Sequence, residues 1–366
     1  MHAPASVCKI NFYKGCQFMR NRIFLIISAI FLLTAAFSAP LHAADTSEIS
    51  ATAEIALNLP EVRDFKTVEA CLLSVGMETE SVSLGGANTP MFASAGPSSF
   101  AVDKKGNVYV LDAMNFKVLI VKEGRVIKVI TYPHGESSDT KEAYFMRDIA
   151  ISPKNNNIYL LNYTLKNIFV MSPTGEVKGE IELKHQISSP KNIFITNEGN
   201  IIVKDEGKFD VVVYSPEGKM LGREQGDEIS AFADREGFLF AKGERDKNGQ
   251  DIILFDPGAK RKNPKRFAKL IKVIKDTEPY DYQLLGVDAK GNFFASIIEK
   301  IREDVIQTII YKFGPDGKTL ARIRVMPMPL LEDTMPTRYF VISPKGEIYA
   351  YAANPARDKF AILKIE

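Results

Sequence analysis

The fold is decided by the stretch Ser99-Phe-Ala-Val-Asp103-Lys-Lys-Gly106-Asn107-Val-Tyr-Val-Leu-Asp112, continued by Asn115-Phe-Lys117-Val-Leu-Ile-Val-Lys-Glu-Gly124. A short apolar run meets a polar turn with Gly, a second run ends on Asp, and a third ends on another Gly turn. Runs of β-branched and aromatic residues punctuated by Asn, Gly and Asp are the signature of successive hairpins.

The same frame returns five times. Ile149-Ala-Ile-Ser152 precedes Asn157-Ile-Tyr-Leu-Leu-Asn162, and Ile193-Phe-Ile-Thr196 precedes Asn200-Ile-Ile-Val-Lys-Asp205. Weaker copies lead through Asp234, Asp288 and Ser343 into Gly237-Phe-Leu-Phe, Gly291-Asn-Phe-Phe and Gly346-Glu-Ile-Tyr. Repeats begin near residues 97, 146, 190, 228, 282 and 336, a period of 38 to 54 residues. Four strands per repeat at this spacing predict an all-β, six-bladed β-propeller of four-stranded antiparallel blades.

The last repeat stops after three strands, at Ala361-Ile-Leu-Lys-Ile-Glu366. An unpaired outer edge is a liability that a propeller closes. The expectation is therefore that an N-terminal strand, Glu80-Ser-Val-Ser-Leu84, completes the last blade. On this reading residues 1–43 are a signal peptide, 44–79 an N-terminal extension with a helix around Val68 to Val75, and 80–366 the propeller.

The signal reading rests on Arg20 and Arg22, an apolar run over 23–37, and small residues up to Ala43-Ala44. Fifteen apolar residues fall short of the roughly 20 that span a bilayer, so export to the periplasm or cell envelope is expected rather than an anchor. Met19-Arg-Asn-Arg would open such a signal by itself. Without residues 1–43 the chain keeps 43 Lys+Arg against 45 Asp+Glu, no basic excess of the kind nucleic-acid binding uses. It also keeps one cysteine, Cys71, which cannot close an internal disulfide and reads as a buried thiol.

These units resemble the NHL repeat, among six-bladed propellers that include TolB-like domains. Asp103 through Asp112, followed by Asn115-Phe-Lys117-Val, carries the likeness most clearly. The resemblance implies the fold and leaves the activity open, because such propellers host binding, sensing and a few catalytic functions. Calcium lactonases and metal-dependent lyases of this shape hold metal with acidic, amide or histidine side chains in the channel.

In a propeller, the links between blades and the loops joining second to third strands share one face. The long segments 131–144, 272–282 and 325–337, and 243–250, 298–305 and 353–359, are of those kinds, so the working face is expected there. Five positions before each turn-leading residue stand Ser98, Arg147, Lys191, Ile229, Gln283 and Arg338. Three cations at a channel mouth would favour an anionic ligand or an acidic side chain and disfavour a metal. The opposing reading is that each cation pairs locally, Arg147 with Asp148 and Arg338 with Glu332 or Asp333.

Asp112, Asn162 and Asp205 are expected to cap the turns that follow them rather than to form a ring of metal ligands. Only His134 and His185 follow the signal, without zinc-ligand spacing, and no G-x-S-x-G elbow occurs. The expectation is a monomeric, non-enzymatic binding or scaffold module without cofactor or metal. It would bind a protein partner or small anionic ligand through Ser98, Arg147, Lys191, Gln283 and Arg338. A metal-dependent hydrolase or lyase is the alternative.

Overall fold

The repeat frame becomes hairpins for a reason visible at its first turn. In the computed structural model, the Asp103 carboxylate accepts hydrogen bonds from the backbone N–H of Lys105 and Asn107, at 2.8 and 2.9 Å. Gly106 then takes φ 90°, a left-handed conformation that a side chain strains. Thr196 Oγ1 repeats the bond to Asn200 N at 3.0 Å, and Asp288 repeats it to Asn292 N at 2.9 Å. In the second repeat, whose turn is one residue longer, Asn156 takes φ 59° instead of a Gly.

The structure describes residues 62–366 except 65, 77, 84–95, 134–145, 184, 197, 209, 226–228, 235–236, 247–248, 256–267, 275–278, 303–304, 315–317, 326–335 and 354–358. Backbone alone is described for 62–64, 224–284, 298–307 and 353 wherever these are included. The expected signal segment lies outside the described residues. No helix among them is long and apolar enough to cross a membrane.

The chain is an all-β propeller of four-stranded antiparallel blades. The first blade holds Ser99–Val102, Val108–Asp112, Lys117–Lys122 and Arg125–Thr131 in sequence order. The second runs from Met146–Ile151 to Val177–Glu182, the third from Pro190–Ile195 to Met220–Gln225, and the fourth from Ile229–Asp234 to Ala268–Ile274. A further sheet, Pro279–Val287 to Thr319–Val325, carries a fifth strand, Val62–Asp64, parallel to its outer edge. The last sheet holds Phe340–Ile342, Ile348–Ala353, Lys359–Ile365 and Thr67–Ser74.

Packing follows from the period-two alternation of strand side chains. Along Val108–Asp112, Val108 and Val110 pack towards Phe360 and Ile362 of the last sheet, while Tyr109 and Leu111 pack towards Ile158 and Leu160 of the second. The next interface joins Tyr159, Leu161 and Ile168 to Ile193, Val203 and Tyr214. Central strands are thus buried on both faces and read as unbroken apolar runs.

Two expectations need correction. The closing strand is Thr67–Ser74, paired antiparallel from Thr67 with Ile365 to Ser74 with Lys359, and the helix expected there does not form. Cys71 and Leu73 alternate inward, fully and almost fully buried, and eight strand residues match the seven-residue edge of Lys359–Ile365. Val82, assigned that role from sequence, makes only an isolated bridge to Val75, and Ser83 N donates to Asp112 at 3.1 Å. The propeller boundary therefore moves upstream from 80.

The second correction concerns segments expected to be loops. Residues 243–250 and 298–305 are mostly strand, in hairpins Gly237–Asp246 with Gly249–Phe255 and Phe293–Arg302 with Val305–Phe313. Their charged residues suggested loops, but the backbone there keeps strand pairing beyond the blade. These strands of ten residues exceed the five-residue second strands of the first three blades. At about 3.3 Å per residue they stand on the order of 15 Å higher at the mouth.

Candidate functional site

The start of each first strand meets the end of each second strand at the mouth. Asp112, Asn162 and Asp205 cap the turns there. Asn162 Oδ1 accepts from Thr164 N and Leu165 N, both at 2.9 Å, and Asp205 Oδ1 from Gly207 N of its own turn at 3.1 Å; Asp205 also accepts from Ser188 N and Ser189 N of the preceding link, both at 2.7 Å. Among the described residues, no group of three or more His, Cys, Asp or Glu stands together to hold a metal ion.

The sequence-derived set separates into parts with different chemistry. Ser98 is buried and its hydroxyl donates to Met146 O at 2.9 Å, joining the first blade to the second. Gln283 lies in the strand Pro279–Val287, where only backbone is described. Arg338 pairs with Asp148, Nε donating to Oδ1 at 2.9 Å and Nη2 to Oδ2 at 2.6 Å. Nη2 also donates to Ile193 O, and the guanidinium lies 4.4 Å from the Phe194 ring centroid.

Asp148, in the second blade, is fully buried and its carboxylate ties that blade to three other sheets. Ser99 Oγ donates to it at 2.5 Å from the first blade and Ile193 N at 2.8 Å from the third, while Arg338 reaches it from the last sheet. First strands present an open edge to the channel. Here the open N–H and C=O of Ile193 are satisfied by this acid–base pair. Arg338 is thus a clasp across the channel mouth, with Nε and Nη2 engaged on the protein. Neither expected local partner of Arg338, Glu332 or Asp333, falls among the described residues. Behind the clasp lies a cavity of about 170 Å³, walled by Ile149, Ile193, Ile195, Val287 and Ile342.

Arg147 and Lys191 do converge. Both reach Glu206, Arg147 Nη2 at 3.2 Å from Oε2 and Lys191 Nζ at 2.5 Å from Oε1. Arg147 does not use Asp148, the partner expected from sequence. Its guanidinium also sits 4.9 Å from the centroid of the exposed Tyr163 ring. The Lys191 hydrogen bond foremost, then the charges of Lys191 and Arg147, hold the Glu206 carboxyl below the usual range. A third cation, Lys204, is half-buried nearby, and burial first and Lys191 second lower its pKa.

Three of these residues escaped the reading of single strands. Tyr163 and Glu206 each follow the capping residue of their blade, in the place Ala113 takes in the first. Lys204 stands one residue before its cap, where the first two blades carry Leu111 and Leu161. Aligning the second strands as well as the first would have found the set.

No protein-family model matches the chain, and no curated protein matches it in sequence. Among solved structures it is similar to a member of the DUF4221 family from Bacteroides vulgatus, at 8% identity and TM-score 0.50, over 84% of this chain and 99% of that one. It is also similar to virginiamycin B lyase from Staphylococcus aureus, at 12% identity and TM-score 0.44, over 82% and 99%. Hydrazine synthase of Kuenenia stuttgartiensis matches at 12% identity and TM-score 0.44, over 69% of this chain and 72% of that one. The first of these likenesses, at 8% identity, speaks for the fold alone.

Proposed function

We propose that the chain is an exported, non-enzymatic binding propeller of the periplasm or cell envelope that recognises an acidic group at the mouth between its second and third blades. The observation that carries this reading is the convergence of Arg147 and Lys191, from adjacent blades, on the single carboxylate of Glu206. Two cations from neighbouring blades thus share one anion. Partly desolvated cations of this kind attract and orient an acidic group more strongly than exposed ones.

The same reading takes the ring as six-bladed, with the five-stranded sheet counted as a blade carrying an added outer strand. The first strands neighbour one another in sequence order, and Phe340–Ile342 returns to lie beside Ser99–Val102, which supports that count. The tall hairpins of the fourth and fifth sheets would then wall one side of the mouth, leaving the basic cluster at its lower rim. Ser98 and Arg338 serve this site by fixing its floor rather than by touching the ligand.

The test is capture of partners from envelope extract on immobilised protein, beside Arg147→Ala/Lys191→Ala protein. A partner lost in the variant, and lost from wild type at raised salt, supports the reading. Equal capture by both proteins at all salt concentrations removes it. Metal analysis of the purified protein addresses the enzymatic alternative, which stoichiometric, tightly bound Ca²⁺ or Zn²⁺ would favour.

A further inference from the structure

Glu206 divides its two carboxylate oxygens between two cations, Oε2 on Arg147 Nη2 at 3.2 Å and Oε1 on Lys191 Nζ at 2.5 Å. Each cation is the second residue of a first strand, Met146–Ile151 or Pro190–Ile195, so both are carried by rigid blades. Arg147 is held further by Nη1 donating to Pro190 O at 3.5 Å and by the Tyr163 ring, whose centroid lies 4.9 Å from its guanidinium. Neither of these contacts involves Glu206.

Glu206 itself is mounted differently. It is the first residue after the strand Ile201–Asp205, in the turn that leads to Asp210–Tyr214. Its backbone is anchored, the N–H donating to Ser189 O at 2.9 Å. Its side chain is 43% exposed, against 35% for Lys191 and 24% for Arg147, so it covers the two cations from the solvent side. Rotation about its own side-chain bonds uncovers both without moving the backbone. Ion pairs this exposed are individually weak and exchange readily with other acids.

We propose that Glu206 is a resident stand-in for the ligand: a carboxylate, supplied by an acidic peptide or a free dicarboxylic acid, binds between Arg147 and Lys191 in its place while the Glu206 side chain turns out to solvent. The inference rests on the functional reading above and adds how that site is kept blocked when empty. Glu206 defines the class it exchanges with, a planar group of two oxygens and one charge, with one oxygen on each cation. Because one carboxylate replaces another, net affinity comes from what the rest of the ligand touches. Tyr163, exposed beside Arg147, is the aromatic surface it meets. A self-blocked site lowers apparent affinity by the fraction of molecules in which the place is free, and a block of about tenfold corresponds to Glu206 filling it in about nine molecules of ten.

The experiment is calorimetric titration of the exported chain with glutarate and with a glutamate-rich hexapeptide. It is repeated on Glu206→Gln, Glu206→Ala and Arg147→Ala/Lys191→Ala proteins whose melting confirms folding, and followed by a crystal structure of the wild-type complex with the tighter probe. The expected result is binding about tenfold tighter in both Glu206 variants, lost without Arg147 and Lys191, with the ligand carboxylate on the two cations and Glu206 turned away. Binding of glutarate alone would assign the site to small acids, and binding of the peptide alone to protein segments; either fits the proposal. Equal or weaker binding in both Glu206 variants, or a ligand seated beside an undisturbed Glu206, would overturn this inference and leave the broader reading standing. Binding that persists at full strength without Arg147 and Lys191 would overturn both. No binding of either probe to any of the proteins overturns this inference, while partner capture sensitive to Arg147 and Lys191 would still uphold the broader reading.

Discussion

Two charged residues of the mouth have opposite relations to stability. Asp148 is buried with five hydrogen bonds from Ser99, Ile193 and Arg338. Arg338→Met removes three of them and leaves a buried carboxylate short of its counterion. Stability should fall by about 3–5 kcal/mol in denaturant melts. Lys204 is the reverse case, an ammonium where leucine packs in two other blades. Its folded pKa lies below the unfolded value, so below the folded pKa its charge weighs against folding. That burden lifts as pH rises from the lowered folded pKa to the ordinary lysine value. Lys204→Leu should therefore stabilise the protein at neutral pH, by about 1 kcal/mol. Glu206 follows the usual carboxylate sign. Its folded pKa is lowered, chiefly by the Lys191 hydrogen bond, so its contribution is present above the unfolded pKa and lost as pH falls through the folded one. Replacing it by Gln should flatten the acid limb of a stability–pH profile in that window. Cys71, fully buried with its thiol pushed up to about 12, should resist alkylation in the native protein and react on unfolding.

At the scale of elements, the repeat was legible because each turn needs a residue that can fold back on its own backbone. Asp103, Thr196 and Asp288 do so with side-chain oxygens, and the apolar runs between them are buried on both faces. The closing strand was less legible. Glu80-Ser-Val-Ser-Leu84 and Thr67-Val-Glu-Ala-Cys71-Leu-Leu-Ser74 both alternate, and neither carries the turn signature that marks the other strands. Pairing with Lys359–Ile365 is a long-range choice settled by how much apolar edge it covers. Truncation that removes Thr67–Ser74 should abolish the cooperative melt. Removing only residues through Asp64 should lower the midpoint slightly, because Val62–Asp64 adds three residues to an already complete sheet. The tall hairpins were misread for a related cause: their charged sequences have the composition of loops, and only cross-strand register tells the two apart.

For the whole molecule, the sequence marked the mouth but not its wiring. Alignment of first strands put Arg147, Lys191 and Arg338 at one end of the ring, and there they stand. Arg338 and Arg147 take their counterions, Asp148 and Glu206, from other repeats, across separations that no local pattern encodes, while Lys191 takes Glu206 from the far end of its own hairpin. The wiring changes the reading of the cations. Arg338 belongs to the clasp that ties the last sheet to the first three blades. In the proposed reading the ligand-facing charge is left to Arg147 and Lys191. The central claim, that this mouth binds an acidic group, is tested most directly by titrating the exported chain with a glutamate-rich peptide at low and high salt, beside the folded Arg147→Ala/Lys191→Ala protein. Saturable binding that weakens with salt and is lost in the variant is expected; binding of equal strength in both proteins, indifferent to salt, would contradict the account.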